Sequence, residues 1–427
     1  MTEITLQFLR DLLWADYPDV TILKFEGVPG TNRGDNYTSM VYRVTLKGVK
    51  QVPNEDSSQD TTVPWEGSII YKCLPESILR REAFKSDELF CNEVAFYNKI
   101  WPAFNRFQSQ WEKVKFPFKA VPKCYLAQND LVILKDLKPF GFAMPDRRQG
   151  LAIEQGYYVL KQLAQFHALS MAMKCEDPET FYELLNVQDG LSEVFFVTEN
   201  EEYYKTYYKE AMHNALDMVE EELQGDEDKD LYMEKFRKFC SPDTFFQMMV
   251  EQVVPKEPLA VICHGDFWTN NMLFRNVDGE IAEMCIVDFQ LARYSSPALD
   301  LVYVAYVCLD QEQRAEHLPS LLEYYVDELH ERLLQITNED SVFNTSLHRD
   351  ALFESVQDEF RRMGRFALGV ALDMFPITTC DSTEAPNLYQ AKVRNGSRSE
   401  PPVRTHNAAC RRKMAALVKE LVDQEIL

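Results

Sequence analysis

Ile4, Phe8, Leu12 and Leu13 fall at helical spacing, which predicts a short amphipathic helix over residues 4 to 14. A turn near residue 34 then leads into alternating apolar and polar positions up to residue 46, the period of a strand. Residues 51 to 64 are polar and predict a hairpin tip, while Ser68 to Leu74 predict a strand with Lys72 in its apolar middle. From Ser86 the period changes again: Phe90, Val94, Tyr97 and Trp101 mark one helical face, and Glu93 lies on it. The run L-V-I-L at 131 to 134 is a further strand, running into the Pro/Gly segment K-D-L-K-P-F-G-F. Helices dominate after that. Ile153 to Met173 carries Leu160, Leu163, Ala164, His167 and Met171 on one stripe, and 175 to 260 is helical apart from an acidic run at 220 to 230 that reads as a solvated loop. Amphipathic helices are expected at 322 to 336, 351 to 373 and 407 to 424, with a Pro/Ser/Asn-rich loop at 380 to 406.

One segment, 261 to 290, interrupts the helices. Val261 to Cys263 is a short apolar run that breaks at Gly265; Met272 to Phe274 and Ile281 to Val287 are two more, joined by the turn residues Asn276, Asp278 and Gly279. Folded as a hairpin, this segment sets Asn271 and Asp288 roughly opposite each other at its open end, with Asp266 close by. An amide oxygen and a carboxylate, with no Cys or His directly beside them, suit Mg²⁺ better than zinc. Lys72, in a buried strand, needs an anionic partner, and Glu93 on the core-facing side of the next helix is the natural one. His167, alone on an apolar stripe, reads as a core residue outside the chemistry.

Charge and cysteine usage narrow the class. The 427 residues hold 45 Lys and Arg against 68 Asp and Glu, a net charge of −23, which disfavours a nucleic-acid binder. The first residues lack the basic start and clean apolar core of a signal peptide, and the run Leu301 to Leu309 is far short of a membrane span. Ten Cys are scattered without a C-x-x-C pair, several within apolar runs, as reduced core thiols are. Sequons at Asn36, Asn344 and Asn395 need no explanation beyond chance. A cytoplasmic protein without a membrane span, most simply a monomer, is expected.

The spacing Asp266-x-x-x-x-Asn271, followed by Asp288 at the next strand end, matches a kinase catalytic loop and its metal-binding Asp. The strings H-G-D-F-W-T-N-N-M-L-F (264 to 274) and I-V-D-F-Q (286 to 290) closely resemble the ecdysteroid kinase-like family, within the aminoglycoside phosphotransferase and choline kinase branch. The resemblance is firm over 261 to 303 and looser from about Gly34 onward. It implies an α+β, two-lobed protein kinase-like fold. A small antiparallel-sheet lobe with one main helix (1 to 137) would precede a larger, mostly helical lobe (138 to 427), whose insert at about 175 to 260 shapes the acceptor site. It further implies ATP and Mg²⁺ as cofactors. Asn271 and Asp288 would hold the metal, Lys72 the donor's inner phosphates and Glu93 would hold Lys72; Asp266 would orient the acceptor hydroxyl and take its proton late. A phosphate-covering turn would fall at Gly34, Asp35 and Asn36, adenine contacts at the backbone of 134 to 137, and a loop brace at Asp300. Lys135 stands where the family often has an acidic residue. Only eleven residues (289 to 299) separate Asp288 from Asp300, too few for an activation segment, so a small acceptor is expected. The resemblance points to a hydroxyl of an ecdysteroid or a hydroxylated xenobiotic. The rivals are a choline, ethanolamine or aminoglycoside kinase, and a nucleotide-binding scaffold without turnover.

Overall fold

The computed structural model describes residues 4–31, 38–53, 61–186, 190–381, 383 and 407–427. Helix α1 (Leu6–Leu13) is capped by the Thr5 hydroxyl and precedes strands β1 (Val20–Pro29), β2 (Met40–Val52) and β3 (Thr61–Cys73). Helix α2 (Ile78–Ala83), α3 (Ser86–Ala95), a π-helical turn (Phe96–Ile100) and α4 (Trp101–Ser109) follow, then β4 (Cys124–Gln128) and β5 (Leu131–Lys135). The five strands form one antiparallel sheet in the order β1-β2-β3-β5-β4.

Strand alternation gives this sheet two different faces. Ile22, Val44, Leu46, Ile69, Leu131 and Ile133 pack under Leu9 and Leu13 of α1. Lys72, three positions from Ile69, turns to the other face and toward α3. β2 and β3 run further than the apolar pattern predicts. Val52 pairs with Thr61, so 61 to 64 belong to the ladder rather than to a tip, because backbone bonding continues an antiparallel pair past its apolar residues. The helix carrying Glu93 continues to Ser109 through the π-helical turn just before Pro102, where a missing N–H is tolerated.

A short link with Gly141 at φ +85° leads to β6 (Phe142–Ala143), which pairs with the later hairpin. The helical region comprises α5 (Ile153–Glu176), α6 (Pro178–Leu184), α7 (Glu201–Glu222), α8 (Lys229–Phe239) and α9 (Phe245–Val253). After β7 (Val261–Cys263), the hairpin β8 (Met272–Val277) and β9 (Glu280–Ile286) and the strand β10 (Arg293–Ser295), the chain ends in α10 (Ala298–Val302), α11 (Gln311–Gln335), α12 (Arg349–Arg362), α13 (Gly364–Thr379) and α14 (Ala408–Asp423). The expected α+β arrangement, antiparallel sheet first and mainly helical region second, is what the chain adopts. No helix among the described residues is long and apolar enough to cross a membrane.

Three expectations are corrected. The acidic run at 220 to 230 is a loop only in its middle: α7 extends to Glu222 and α8 starts at Lys229, with a mostly exposed turn over 223 to 228 in which Leu223 is buried, while Glu222 and Asp226 pair with Arg411 and Lys419 of α14. The helix expected at 322 to 336 begins at Gln311, where Asp310 and Gln313 form a reciprocal capping box, and it runs through Pro319. The segment 351 to 373 is two helices rather than one, parted at Met363. Most of the loop expected at 380 to 406 lies outside the described residues.

Candidate active site

The hairpin forms as its turn chemistry dictates: Asp278 and Gly279 both take positive φ (53° and 88°), the two-residue turn that matches strand twist. At its open end, Val287 N–H donates to the carbonyl of Asn271 (3.0 Å), which locks together the segments bearing Asn271 and Asp288. Asp288 sits at φ +68°, a left-handed conformation costly for a residue with a Cβ. Phe289 holds it there by stacking on Phe96, ring centroids 3.6 Å apart. Gly265 is required by space as well as by φ (+83°), since a Cβ there would lie 1.9 Å from the Leu291 carbonyl oxygen.

Lys72 reaches across from β3. Its Nζ lies 2.5 Å from Glu93 Oε2 and 2.5 Å from Asp288 Oδ1, with Lys72 and Glu93 side chains 4% and 1% exposed. Burial opposes the Lys72 charge, but Asp288 and Glu93 outweigh it and hold its pKa above the ordinary value. Burial pushes the Glu93 carboxyl upward against the pull of Lys72. The residues singled out from sequence, 216 positions apart at the extremes, therefore meet at one point.

Asp266 is half-buried beside them. Asn271 Nδ2 donates to its carbonyl (2.8 Å) and to its Oδ2 (3.1 Å). The amide nitrogen of Asn271 is thereby engaged in these two bonds, and its Oδ1 takes no part in them. With the Asp288 carboxylate it makes an all-oxygen donor pair, which fits a hard divalent cation. Burial, then the like charge of Asp288, raises the Asp266 carboxyl from 3.8 to about 7. An unperturbed carboxyl, near 3.9, is a far weaker base than this.

Behind the loop, Asp300 accepts from the backbone N–H of His264 (2.7 Å) and of Gly265 (2.8 Å) and meets His167 Nε2 at 3.1 Å. Burial works against its charge, yet the two histidines and the Gly265 N–H hold its carboxyl below the usual range. His264 donates from Nε2 to the Val287 carbonyl (2.9 Å) while Nδ1 accepts from the Asp266 N–H (3.3 Å), a tautomer with no nitrogen left for substrate. Burial lowers its pKa, so it stays neutral. Asp300→Ala is expected to cost about 3 kcal/mol or more, because it strips a buried charge from two N–H groups and a histidine. In Asp300→Asn the acid side of the stability profile should flatten. A depressed folded pKa contributes stability above the unfolded value, near 3.9, that is lost as pH falls through the folded value. Urea midpoints across acid pH measure this.

Two cavities meet at this cluster. One, of about 400 Å³, lies under the sheet between Lys72, Ile70 and Leu134 on one side and Asn271, Leu273 and Val287 on the other. The second, of about 150 Å³, opens beyond Asp266 and is walled by Phe195, Phe196, Tyr207, Tyr208, Phe366 and Val370. Asn271 and Asp288 line both. Gly34, Asp35 and Asn36 lie outside the described residues; of their flanks, Gly30 and Thr31 line the first cavity and Thr38 the second.

Several site residues were not anticipated. Asp136, next to Lys135, is buried in the first cavity and accepts from Arg43 Nε (2.7 Å) and Ser68 Oγ (2.7 Å). Asn92, one residue before Glu93, donates to the carbonyls of Gln290 (3.2 Å) and Ser192 (2.9 Å), while Thr38 donates to Gln290 Oε1 (2.7 Å). Arg293 joins Glu193 (2.6 Å) beside the second cavity. Asn92 lies off the stripe of Phe90, Val94, Tyr97 and Trp101, so no local pattern singled it out.

The family model of the ecdysteroid kinase-like family matches residues 33–338. A Caenorhabditis elegans protein named uncharacterized oxidoreductase dhs-27 is 22% identical over 313 residues, 69% of this chain but 34% of that protein. The chain thus spans about a third of that relative's length. Among solved structures, the ADP-bound aminoglycoside phosphotransferase APH(2'')-Ib is similar over 96% of this chain and 98% of that one (10% identity, TM-score 0.35). The streptomycin–ATP complex of APH(2")-IIa is similar over 90% and 99% (11% identity, TM-score 0.31). With its catalytic-loop and metal-motif strings inside the matched span, the chain belongs to the ecdysteroid kinase-like family.

Proposed function

We propose that the protein is an ATP-dependent kinase that transfers the γ-phosphate to a hydroxyl of a small, largely apolar acceptor. The observation that carries this is the meeting of Lys72, Glu93, Asp266, Asn271 and Asp288 where two cavities join. In this reading the larger cavity takes the nucleotide. Lys72, fixed by Glu93, draws the inner phosphates, and backbone groups at 134 to 137 read the base. Asn271 and Asp288 hold Mg²⁺, which when bound would neutralise phosphate charge. Asp266 orients the acceptor hydroxyl and receives its proton as the new oxygen–phosphorus bond forms and the bond to the departing ADP breaks. Gly34, Asp35 and Asn36 would cover the phosphates.

The aromatic wall of the smaller cavity supports an apolar acceptor, a steroid such as an ecdysteroid or a hydroxylated xenobiotic, over a highly hydrated aminoglycoside. A monomeric cytoplasmic enzyme, with its ten cysteines unpaired, completes the reading. Incubation with Mg-ATP and a pool of hydroxylated lipids, sterols and amino alcohols should yield products heavier by one phosphate. Nucleotide binding with no product from any of them would favour a scaffold instead. The acid limb of turnover should report Asp266, which must be ionised to accept a proton. Its apparent pKa should fall between 3.8 and about 7, because a cation at Asp288 offsets the like charge that raises it. A pH–rate profile flat down to pH 4 would contradict that role.

A further inference from the structure

Helix α11 carries a buried charge away from the catalytic cluster. Tyr325, Leu329, Arg332 and Leu333 share its core-facing side, and Arg332 is 6% exposed. Its guanidinium makes one hydrogen bond: Nη2 donates to the Phe116 carbonyl (2.7 Å), in the segment between α4 and β4. Nη1 is buried and has no acceptor among the described residues. Burial opposes the Arg332 charge, and Glu328 and Glu331 on the same helix offset that only in part. A buried cation without a counter-ion is costly, and Met or Leu at this position would complete the apolar side. Arg332 lines a third cavity, of about 430 Å³, none of whose residues line the other two. The segment before β4 contributes Lys113, Lys115 and Phe116 to it, and α5 contributes Lys161 and Gln165, one turn apart. Lys161 pairs with Glu328 (2.9 Å). Lys113 and Lys115 are exposed and have no ion-pair partner among the described residues. Phe116 is 82% exposed. Four cations thus meet two carboxylates here, in a chain whose net charge is −23.

We propose that this third cavity binds an organic phosphate, with the phosphoryl group at Arg332, Lys113 and Lys115 and the organic body against Phe116. A phosphate monoester carries roughly two negative charges and three acceptor oxygens, so it takes donors from α11 and from the segment before β4 at once. A carboxylate, with a single charge, leaves part of that set unmet. The planar guanidinium matches phosphate oxygens side by side, and the Phe116 carbonyl already holds it in place, so little ordering is lost on binding. Gln165, which has no hydrogen-bond partner among the described residues, adds a neutral donor to the wall. The proposal goes beyond the phosphotransfer reading and shares no residue with it.

Phenyl phosphate, inorganic phosphate and benzoate, titrated by calorimetry into the full chain, test it. Wild type should bind phenyl phosphate about tenfold or more tightly than either of the others. Inorganic phosphate has no ring to lie on Phe116, and benzoate lacks the second charge and the third oxygen. Added salt should weaken the phenyl phosphate complex. Lys113→Glu combined with Lys115→Glu, at two exposed positions, should weaken it by about tenfold or more. Arg332→Lys keeps the charge but not the planar fork and should weaken it by about tenfold. Arg332→Met should bind no phenyl phosphate. Having lost an unpartnered buried charge, it should melt above wild type without ligand, yet gain nothing from phenyl phosphate, which raises the wild-type melting temperature. Unchanged affinity in the double-lysine variant and in Arg332→Met overturns the proposal, as does benzoate or inorganic phosphate matching phenyl phosphate in wild type. Binding that ADP abolishes and these variants leave intact belongs to the nucleotide cavity and overturns it too. Should Arg332→Met fail to fold, the exposed lysines carry the test by themselves.

Discussion

Asp266→Asn is expected to reduce turnover by about 10²- to 10⁴-fold while nucleotide affinity stays within a few-fold. The substitution keeps size and keeps an oxygen to orient an acceptor hydroxyl, but it removes the carboxylate proposed to take the proton. Asn271 Nδ2 donates both to the backbone carbonyl of residue 266 and to Oδ2 of its side chain, and the first of these survives the change. The loop should therefore keep its shape, since the Asp300 bonds to His264 and Gly265 are also untouched. The measurement is single-turnover phosphate transfer alongside ADP binding. Unchanged transfer would remove Asp266 from the chemistry, and loss of nucleotide binding in parallel would mean that the loop had collapsed instead.

Asp288→Ala is expected to abolish the magnesium dependence of ATP binding and to lower turnover by about 10³-fold. Glu93, 2.5 Å from Lys72 in wild type, should keep the lysine placed in this variant while the carboxylate proposed for the metal is gone. The variant thus separates the two electrostatic contributions that wild type combines. It carries a second signature. Asp288 is the like charge that adds to burial in raising Asp266, so its removal should lower the Asp266 pKa toward 3.8. Replacing a left-handed Asp by Ala leaves the backbone strain in place, whereas Asp288→Gly should relieve it and melt as the more stable of the two variants, by about 1 kcal/mol. Magnesium titrations of nucleotide affinity and thermal melts of both variants decide these points. Retained magnesium dependence in Asp288→Ala would place the metal elsewhere.

The residues that were legible from sequence share a property: each is out of keeping with its own neighbourhood. Lys72 stands in the middle of an apolar strand, Glu93 on a core-facing helical stripe, and Asp266, Asn271 and Asp288 at breaks between short apolar runs. Such positions cost free energy in isolation, so each implies a partner, and here the partners were one another. Asp300 was legible in the same way, as an acidic residue entering a buried helix, though as a brace rather than a bare helix-entry residue only by the family resemblance. Asn92 and Asp136 were not legible. Their roles depend on which carbonyls and cations come within 3.2 Å of them from segments up to 198 positions away. The acidic run at 220 to 230 was legible as an exposed turn but not in extent: helices reach into both its ends, and Arg411 and Lys419 on the last helix pair with Glu222 and Asp226.

Sequence alone determined the order of strands and helices around the hairpin, the family, and the charged and amide side chains that gather at one point, because these follow from local periodicity, from two spaced motif strings and from misfit residues that demand partners. Only the tertiary structure decided how those groups behave. The approach of Asp288 to a half-buried Asp266 sets the latter's proton affinity, and the packing of α7 against α13 puts Asp373 into an aromatic wall. Proton affinity and pocket shape depend on distances and burial between remote segments, and no stretch of the chain encodes those by itself.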